Sequence, residues 1–317
     1  MKSLVTGANG FVGKLLCAEL IRQGHSVVAI VRNVSDQIGD TKQISVSTIN
    51  GDTNWSYALL DVEIVVHLAA RVHIMLNQAN KSISEFREVN VDGTLNLAMQ
   101  AASAGVKRFI FISSVKVNGE NTEIGKPFTE ANIANPQDAY GVSKFEAEQG
   151  LMHIAKQTGL EVVIIRPPLI YGPGVKANFA NIMLAVKQST LLPLGSIHNK
   201  RSFIYLGNLV SFILLCFNHT AAANQIFLVS DGHDLSTTTL LQNCAVALKV
   251  KAKLVPIPQK IVIYIMIALG KGSEAQKLCG NLQIDISKAH RLLGWTPPVS
   301  VADGLKATAL DSLKVDM

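Results

Sequence analysis

The sequence has few cysteines and no pattern of residues typical of a metal site. Its four cysteines, at positions 17, 216, 244 and 279, do not have the spacing of metal ligands and favour reduced thiols. The first strand-like run begins at residue 2, so we expect no signal peptide. These absences predict a cytoplasmic protein that uses no bound metal.

Long apolar runs and concentrated charge are also missing. The longest apolar run, Ile261 to Leu269, is much shorter than the ~20 residues that cross a bilayer. A buried helix is the favoured interpretation of this run, and a face next to a membrane is the alternative. The net charge is +6, but no block of basic residues is interleaved with aromatics, so nucleic acid is not an expected partner. A positive cleft for an anionic substrate explains the charge as well.

Apolar residues make up 48% of the chain, and in its first half they form short runs that alternate with helical patterns. After a first strand at 2–6, further strands are predicted at 26–31, 43–49, 63–67, 107–112 and 161–166. Helices are predicted at 11–23, 81–104 and 138–157. Such alternation requires parallel strands with helical crossovers, so the sequence predicts an α/β fold with a Rossmann-type doubly wound parallel sheet.

Three glycines follow the first predicted strand. Gly7, Gly10 and Gly13 lie between that strand and an amphipathic helix that continues to about Gln23. Glycines at this spacing allow a tight turn, close approach of the backbone to a pyrophosphate, and close packing of helix on strand. The helix N-terminus then offers free N–H groups and a positive dipole to phosphates. This arrangement predicts a dinucleotide site.

The regular alternation ends after Arg166 in a cluster of residues that interrupt helices and strands. Pro167, Pro168, Gly172, Pro173 and Gly174 form this cluster, and later segments mix helix and strand signals less regularly. We therefore predict a dinucleotide-binding domain of residues 1–170, to which residues 202–230 return. A smaller substrate-binding lobe is predicted from residues 171–201 and 231–317.

Tyr140 and Lys144 have the spacing of side chains one helical turn apart on the same face. A nearby ammonium favours phenolate over phenol, so we expect the pKa of Tyr140 to be lowered from about 10 toward the working pH. Such a tyrosine is a general acid and base for a hydroxyl proton while a hydride moves elsewhere.

Together these motifs resemble those of the extended short-chain dehydrogenases/reductases, in particular the nucleotide-sugar epimerase/dehydratase group. The matching segments occur in family order over nearly the whole chain: 6–13, 51–52, 67–70, 90–94, 113–114, 140–144, 166–168 and 201–203. The resemblance implies a catalytic set of Ser114, Tyr140 and Lys144. In this set Ser114 orients the substrate, Tyr140 transfers the proton, and Lys144 tunes Tyr140 and holds the nicotinamide ribose.

The same resemblance implies the residues that bind the cofactor and the substrate. Those expected at the cofactor are Gly7, Asn9, Gly10, Phe11, Val12, Gly13, Arg32, Asp52, Leu68, Ala69, Ala70, Asn90, Tyr140 and Lys144. Asn178 and Arg201 match positions that hold the diphosphate of a nucleotide sugar, and Lys277 is a weaker match. His67 is expected to be a hydrogen-bonded structural group, and neither it nor His73 is assigned a role.

The choice between NAD and NADP depends on the residue at the end of the second strand. Relatives that prefer NAD usually carry an acidic residue there, which accepts hydrogen bonds from the ribose hydroxyls. This chain has Arg32 and Asn33 instead. A guanidinium can pair with a 2′-phosphate through two hydrogen bonds, so Arg32 favours NADP(H), with a solvated arginine and loose selectivity as the alternative.

The residues after the strand-end serine narrow the reaction. Dehydratases of the group need a carboxylic acid there, and this chain has Val115 and Lys116, which argues against dehydration. Reduction of a 4-keto sugar and 4-epimerisation use the same serine, tyrosine and lysine. Arg32 and Asn118 favour the 4-keto reductase of a UDP-linked N-acetylhexosamine, and a UDP-sugar 4-epimerase with bound NAD is the alternative.

Two further interpretations fit less well. A non-catalytic dinucleotide sensor would usually have lost the tyrosine or the lysine, and a reductase of hydrophobic ketones would lack Asn178 and Arg201. Relatives often form homodimers through two helices of each subunit, including the one that carries Tyr140, so a homodimer is expected by analogy.

Overall fold

A computed structural model describes residues 1–34, 38–72 and 83–314. Nine strands are present in the described part: β1 (Lys2–Thr6), β2 (Ser26–Val31), β3 (Lys42–Ser45), β4 (Ile64–His67), β5 (Arg108–Ile112), β6 (Glu161–Arg166), β7 (Leu169–Tyr171), β8 (Phe203–Tyr205) and β9 (Gln225–Leu228). The α-helices there are α1 (Phe11–Arg22), α2 (Ile83–Arg87), α3 (Gly93–Ser103), α4 (Ala139–Thr158), α5 (Ala177–Lys187), α6 (Leu206–Asn218), α7 (Thr237–Leu248), α8 (Gln259–Ala268), α9 (Gly272–Cys279), α10 (Ser287–Leu293) and α11 (Val301–Lys314).

Seven of the strands form one parallel sheet in the order β3-β2-β1-β4-β5-β6-β9. In its centre Val5 of β1 lies between Ala29 of β2 and Val66 of β4. The chain moves outward on one side of β1 and then returns to build the other side, which is the doubly wound arrangement predicted from the sequence. The order reverses between β1 and β4, and ligands of such sheets bind in the crevice at the carboxyl ends of these strands.

The sheet is apolar on both faces because helices cover both of them. On one face, α1 and α6 pack over a cluster that includes Leu16, Val66 and Phe212. On the other, α3 and α4 pack over a cluster that includes Phe109 and Leu151. The strand residues of both clusters are almost fully buried, so the continuous apolar runs in the sequence correspond to strands with helices on either side.

A third apolar cluster lies in the C-terminal part of the chain. It joins α5, α7 and α11 through side chains such as Phe179, Leu241 and Leu305. β7 and β8 form a separate two-stranded parallel sheet beside it. In contrast, α6 packs against α1, and β9 pairs with β6 at the edge of the main sheet. These placements support the division into a dinucleotide domain with a returning segment and a substrate lobe, which we retain as a proposal.

Two predicted elements differ from the observed ones. The strand expected at 43–49 ends at Ser45, whose hydroxyl donates to the Arg32 carbonyl, and the chain then turns away. The helix expected at 81–104 is divided into α2, a π-helical turn (Glu88–Asp92) and α3, while residues 81–82 and His73 lie outside the described residues. A π-helical turn of this kind inside a longer helix is often found at functional sites.

The prediction of a buried helix at Ile261–Leu269 was wrong. The run does form a helix, α8, but most of its large apolar side chains are exposed. In the described part of the chain, no helix has the length and apolar character needed to cross a membrane. All four cysteines are buried and free.

Candidate active site

The candidate site lies at the carboxyl edge of the main sheet, where β1, β4 and β5 end side by side. The glycine turn follows β1, residues 68–70 follow β4, and Ser113 and Ser114 follow β5. α4 brings Tyr140 and Lys144 to the same edge, since the Lys144 ammonium donates to the carbonyl of Ile112, the last residue of β5, over 2.8 Å. The fold therefore brings the predicted cofactor turn and the predicted catalytic residues to one edge of the sheet.

The glycine turn is too tight for ordinary side chains, most clearly at Gly7 and Gly13. Gly7 has a φ of +66°, and a Cβ placed there would lie 3.0 Å from the backbone nitrogen of Ala69. At Gly13 a Cβ would lie only 2.2 Å from the carbonyl oxygen of Gly7. The N–H of Gly10 donates to the same carbonyl over 2.9 Å, which closes the turn. Glycine is thus required by a left-handed backbone at Gly7 and by packing of α1 against the turn at Gly13.

The N-terminus of α1 is arranged to receive an anion. Gly10 is its N-cap, no side chain accepts a hydrogen bond from the first turn, and that turn contains no acidic residue. The unused backbone N–H groups and the helix dipole therefore favour a phosphate at this position. Phe11 and Val12 pack partly into the core, while Asn9 is exposed beside the turn. The donor set fits the pyrophosphate of a dinucleotide.

A buried hydrogen-bond chain fixes the segment that follows β4. The Thr6 hydroxyl oxygen accepts from the backbone N–H groups of Leu68 and Ala69, both over 3.1 Å, so its proton is directed to Nδ1 of His67. Nε2 of His67 then donates to the Thr94 hydroxyl, which donates to the Asn90 carbonyl. Burial and, to a smaller extent, the nearby Lys144 charge together lower the pKa of His67 to about 3. His67 is therefore a neutral structural group, as expected.

Asn90 joins this segment to the helix that carries the tyrosine. Its side-chain oxygen accepts from the N–H of Arg71 over 2.8 Å, and its amide donates to the Arg71 carbonyl and to the Ser143 hydroxyl. The Ser143 hydroxyl donates in turn to the Tyr140 carbonyl. Asn90 is almost fully buried, so it holds the shelf of residues 68–70 against α4.

Tyr140 and Lys144 lie on one face of α4, close to the helix start. The side chain of Asp138 caps that start by accepting from the N–H of Gly141 over 2.7 Å. The Lys144 ammonium is 6.0 Å from the centre of the Tyr140 ring and 4.3 Å from that of Phe111. Lys144 is buried while Tyr140 is half-buried, so the lysine is fixed and the tyrosine borders the open edge.

The pKa of Tyr140 is shifted in the direction opposite to that expected from the sequence. Burial raises the pKa of Tyr140, and the negative charge of Asp138 raises it further. Burial lowers the pKa of Lys144 to about 7, and the Glu148 carboxylate opposes that shift. The prediction of a lowered tyrosine pKa was therefore wrong for this arrangement, because desolvation and Asp138 outweigh an ammonium that is itself desolvated.

Ser114 occupies the end of β5, and its hydroxyl accepts from the N–H of Lys116 over 3.2 Å. Its neighbour Ser113 belongs to a buried network that the sequence did not indicate. The Ser113 hydroxyl donates to Glu148, which forms two-pronged hydrogen bonds with Arg166. Arg166 also donates to Asn118 over 3.0 Å. Since Glu148 is one helical turn beyond Lys144, this network fixes the position of α4 relative to the strand ends.

A small cleft near the start of α4 gathers several of the cations. Its volume is about 60 Å³, and it is lined by Lys116, Glu120, Arg201, Gln276, Lys277 and Leu282. Lys116 is paired with Asp138 and, over 3.3 Å, with Glu120. Burial lowers the pKa of the Arg201 guanidinium, whose Nη1 donates to the Gly280 carbonyl. The structure thus brings Arg201 and Lys277 together, whereas Asn178 is exposed at the start of α5 and does not line this cleft.

The two residues expected to contact the adenosine half of the cofactor are both exposed. Arg32 follows β2, and its side chain has no hydrogen bond or ion pair within the described ranges. Asp52 lies in the turn after β3, where its N–H donates to the Asn50 side chain. Both side chains are therefore open to a ligand. Over the described ranges, no group of three or more His, Cys, Asp or Glu side chains could hold a metal ion.

Comparison with known proteins gives consistent matches over the whole chain. A sequence model described as the NAD dependent epimerase/dehydratase family matches residues 3–230. The UDP-glucose 4-epimerase of Vibrio cholerae is 46% identical over 309 residues, which cover 96% of this chain and 94% of that protein.

Two solved structures are similar in fold. A Thermotoga maritima UDP-glucose 4-epimerase, solved with UDP-glucose, superposes with a TM-score of 0.79 at 24% identity. A Bacillus cereus UDP-glucuronic acid 4-epimerase, solved with NAD, also has a TM-score of 0.79, at 21% identity. In both cases the match covers 100% of each chain.

Proposed function

The chain belongs to the NAD dependent epimerase/dehydratase family, and from this premise we propose that it is a nucleotide-sugar 4-epimerase that works with a bound NAD. The observation that carries the proposal is that Tyr140 and Lys144, near the start of α4, accompany two features suited to anions. One is the uncapped N-terminus of α1, and the other is the cleft that contains Arg201 and Lys277. A substrate held by its diphosphate in that cleft reaches Tyr140 with its sugar.

In this proposal each half of the cofactor has its own residues. The turn from Gly7 to Gly13 holds the pyrophosphate with backbone N–H groups, and Asp52 accepts from the adenine amino group. Residues 68–70, supported by Asn90, line the path toward the nicotinamide. Lys144 holds the nicotinamide ribose. NAD held by these residues would supply a hydride acceptor for C4 of the sugar and, in its reduced form, a hydride donor.

The protein residues move the proton that accompanies this hydride. Tyr140 takes the proton from the C4 hydroxyl as the ketone forms and gives it back when the hydroxyl re-forms. Ser114 hydrogen-bonds the same oxygen and keeps it in reach of Tyr140. Because burial and Asp138 raise the pKa of Tyr140, the tyrosine needs positive charge nearby before it can act as a base. Lys144 supplies part of that charge, and an oxidised nicotinamide bound beside it would supply more.

A second candidate is the 4-keto reductase of a UDP-linked N-acetylhexosamine, for which Arg32 is the supporting observation. No acidic residue ends β2, and the exposed Arg32 side chain is open to a 2′-phosphate. A reductase exchanges its cofactor at every turnover and commonly uses NADPH, whereas an epimerase retains NAD. We therefore propose NAD as the resident cofactor and keep NADPH as the cofactor of the second candidate.

Two parallel assays separate these candidates. In the first assay, purified protein is incubated without added cofactor, separately with UDP-glucose and with UDP-N-acetylglucosamine. Formation of UDP-galactose or UDP-N-acetylgalactosamine is detected by chromatography. In parallel, a UDP-linked 4-keto-6-deoxy-N-acetylhexosamine and NADPH are supplied, and absorbance of the reduced nicotinamide is followed. The epimerase proposal predicts product only in the first assay. Consumption of NADPH without epimerisation would replace it with the reductase.

A further inference from the structure

Helix α8 is apolar on every face, yet only one of its faces is covered. Nine consecutive apolar residues run from Ile261 to Leu269. Val262 is buried and packs with Ile197 and Cys279, and Ile263 and Met266 lie beside them. A helix that is apolar all round is normally buried on all sides in a globular protein. The outward face of α8 therefore needs an explanation.

The outward face carries large apolar side chains at helical spacing. Ile261 is 49% exposed, Tyr264 76% and Ile265 48%, and positions i, i+3 and i+4 lie on one side of a helix. At the end of the helix Ile267 is 59% exposed and Leu269 is 67% exposed. Single exposed apolar residues are ordinary on protein surfaces, but a contiguous stripe marks an interaction site.

An apolar cavity opens beside this stripe. It has a volume of about 210 Å³ and lies between α8 and the segments that contain Pro193 and Ile257. All of its lining side chains are apolar, including Ile265 and Met266 of α8. The surface thus offers an apolar ligand both a ridge and a depression.

Basic residues outnumber acidic ones in the segment of the chain that contains α8. Six exposed lysines lie between residues 249 and 279, at positions 249, 251, 253, 260, 271 and 277, whereas Glu274 is the only acidic residue in that range. Lys260 and Lys271 flank the apolar run at its two ends. Lysines near exposed apolar side chains favour contact with an anionic membrane, because the ammonium groups are attracted to the headgroups while the apolar side chains enter the boundary of the acyl chains.

We propose that α8 docks this protein on the surface of an anionic lipid bilayer, with Ile261, Tyr264 and Ile265 inserted among the lipids and Lys260 and Lys271 against the headgroups. The ten-residue helix is about 15 Å long, half of the ~30 Å hydrocarbon core, so it lies in the interface and does not span it. A second copy of the chain fits this surface less well, because two faces rich in lysine repel each other.

Docking through α8 would also bring the candidate active site near the membrane. α9 packs against α8 and carries Lys277, which lines the cation cleft with Arg201. Docking through α8 therefore places the cleft that contains Arg201 and Lys277 on the side of the protein that faces the lipid headgroups. The proposal does not depend on which sugar the site accepts.

The test is co-sedimentation of the full-length protein with vesicles. We expect binding to phosphatidylcholine vesicles that contain phosphatidylglycerol, and at least tenfold weaker binding to phosphatidylcholine alone or at high salt. Each lysine near an anionic surface contributes about fivefold to partitioning. The double variant Ile261→Ser/Tyr264→Ser and the charge variant Lys260→Gln/Lys271→Gln should each lower binding at least tenfold and leave epimerase activity on soluble substrate unchanged.

The matched control is Tyr57→Ser/Leu60→Ser, which removes an exposed tyrosine and an exposed leucine from a different surface. This variant should bind vesicles as well as the wild type does. Equal binding by the wild type and the α8 variants would overturn the proposal, and so would the absence of vesicle binding by the wild type. If Ile261→Ser/Tyr264→Ser instead changed the sedimentation coefficient of the protein without vesicles, the face would be a contact between copies, and the membrane proposal would be wrong.

Discussion

At the scale of single residues, the candidate chemistry depends on which charges lie within a few ångströms of Tyr140. Lys144 is buried and has a lowered pKa, while the carboxylate of Asp138 at the start of the same helix raises the pKa of the tyrosine. The protein alone therefore keeps Tyr140 protonated. Bound ligands must shift this balance, which makes the proton step responsive to what occupies the site.

Replacing Tyr140 with Phe should lower turnover by ~10²–10⁴, the usual effect of removing a general acid and base. Cofactor affinity should change little, because only the phenol oxygen is lost. Turnover and NAD binding measured on the same preparation check this. As a comparison, Lys144→Met should weaken both quantities, since its ammonium is assigned to the tyrosine and to the ribose. Wild-type turnover in Tyr140→Phe would exclude the proposed mechanism.

Asp138→Asn should move the acid limb of the turnover-pH profile to lower pH. The substitution removes the carboxylate that raises the pKa of Tyr140, so the base form is reached at a lower pH. Asparagine caps helices about as well as aspartate, so α4 should keep its start. In contrast, Asp138→Ala should also cost about 1 kcal/mol in the free energy of unfolding. A profile that did not move in Asp138→Asn would show that another group sets the acid limb.

Arg32→Ala should reduce affinity for NADP(H) and leave affinity for NAD(H) nearly unchanged. A charge-assisted contact to a 2′-phosphate is worth roughly 1.5–3 kcal/mol, or about ten- to a hundredfold in the dissociation constant. The residues proposed to bind the pyrophosphate lie elsewhere, in the turn from Gly7 to Gly13. Titration of both cofactors into wild type and variant, at low and high salt, measures the effect. An equal loss for the two cofactors would show that Arg32 does not contact the 2′-phosphate.

At the scale of elements, the cofactor turn depends on how closely α1 approaches β1. A Cβ at Gly13 would overlap the Gly7 carbonyl oxygen and the backbone of Ala8, neither of which can rotate away as a side chain can. The turn and the first helical residues form one rigid unit, and α6 packs against α1 on the same face of the sheet. The geometry of the phosphate site is therefore set by backbone contacts.

Gly13→Ala should destabilise the protein by about 1–3 kcal/mol, as overpacking commonly does. It should also remove most of the rise in melting temperature that NAD produces in the wild type, because a ligand stabilises only the state that binds it. Thermal unfolding with and without NAD measures both effects. Gly272→Ala is the matched control, since a Cβ there meets only the Ile267 side chain at 3.9 Å. A full NAD-dependent rise in Gly13→Ala would contradict the assigned turn.

At the scale of the whole molecule, a buried polar chain connects elements that are distant in sequence. Thr6, His67, Thr94 and Asn90 connect the ends of β1 and β4 to the helices beyond them. All of these side chains are buried, and the hydrogen bond from the Thr6 hydroxyl to Nδ1 of His67 requires the neutral imidazole, because a protonated ring has no acceptor nitrogen. The fold is consequently sensitive to protonation of this one imidazole.

Stability should fall on acidification because of His67. Its pKa is about 3 in the folded protein, against an ordinary 6.5, so between these values the unfolded chain binds a proton that the folded protein does not. The stabilisation is full above pH 6.5 and is lost toward pH 3, by up to about 1.4 kcal/mol per pH unit. The free energy of unfolding, measured with denaturant at several pH values, should depend less steeply on pH in His67→Gln than in the wild type. An equal pH dependence of the free energy of unfolding in the two proteins would mean that His67 is not held neutral.

The sequence by itself determined the features that depend on neighbours along the chain. The alternation of apolar runs and helical patterns predicted the parallel sheet, because strand and helix periodicities are local. Gly7 and Gly13 could be assigned to a phosphate turn because backbone sterics act over a few residues. The spacing of Tyr140 and Lys144 placed them on one helical face for the same reason.

Only the tertiary structure decided which distant groups meet and which apolar surfaces remain uncovered. The network of Ser113, Glu148, Arg166 and Asn118 joins three separate segments, and no spacing in the sequence connects them. Likewise the raised pKa of Tyr140 follows from burial and from Asp138. The apolar run of α8 was expected to be buried, but one face is left open because no other described element packs over it. Hydrophobicity is a property of the residues, whereas burial depends on what the rest of the fold places against them.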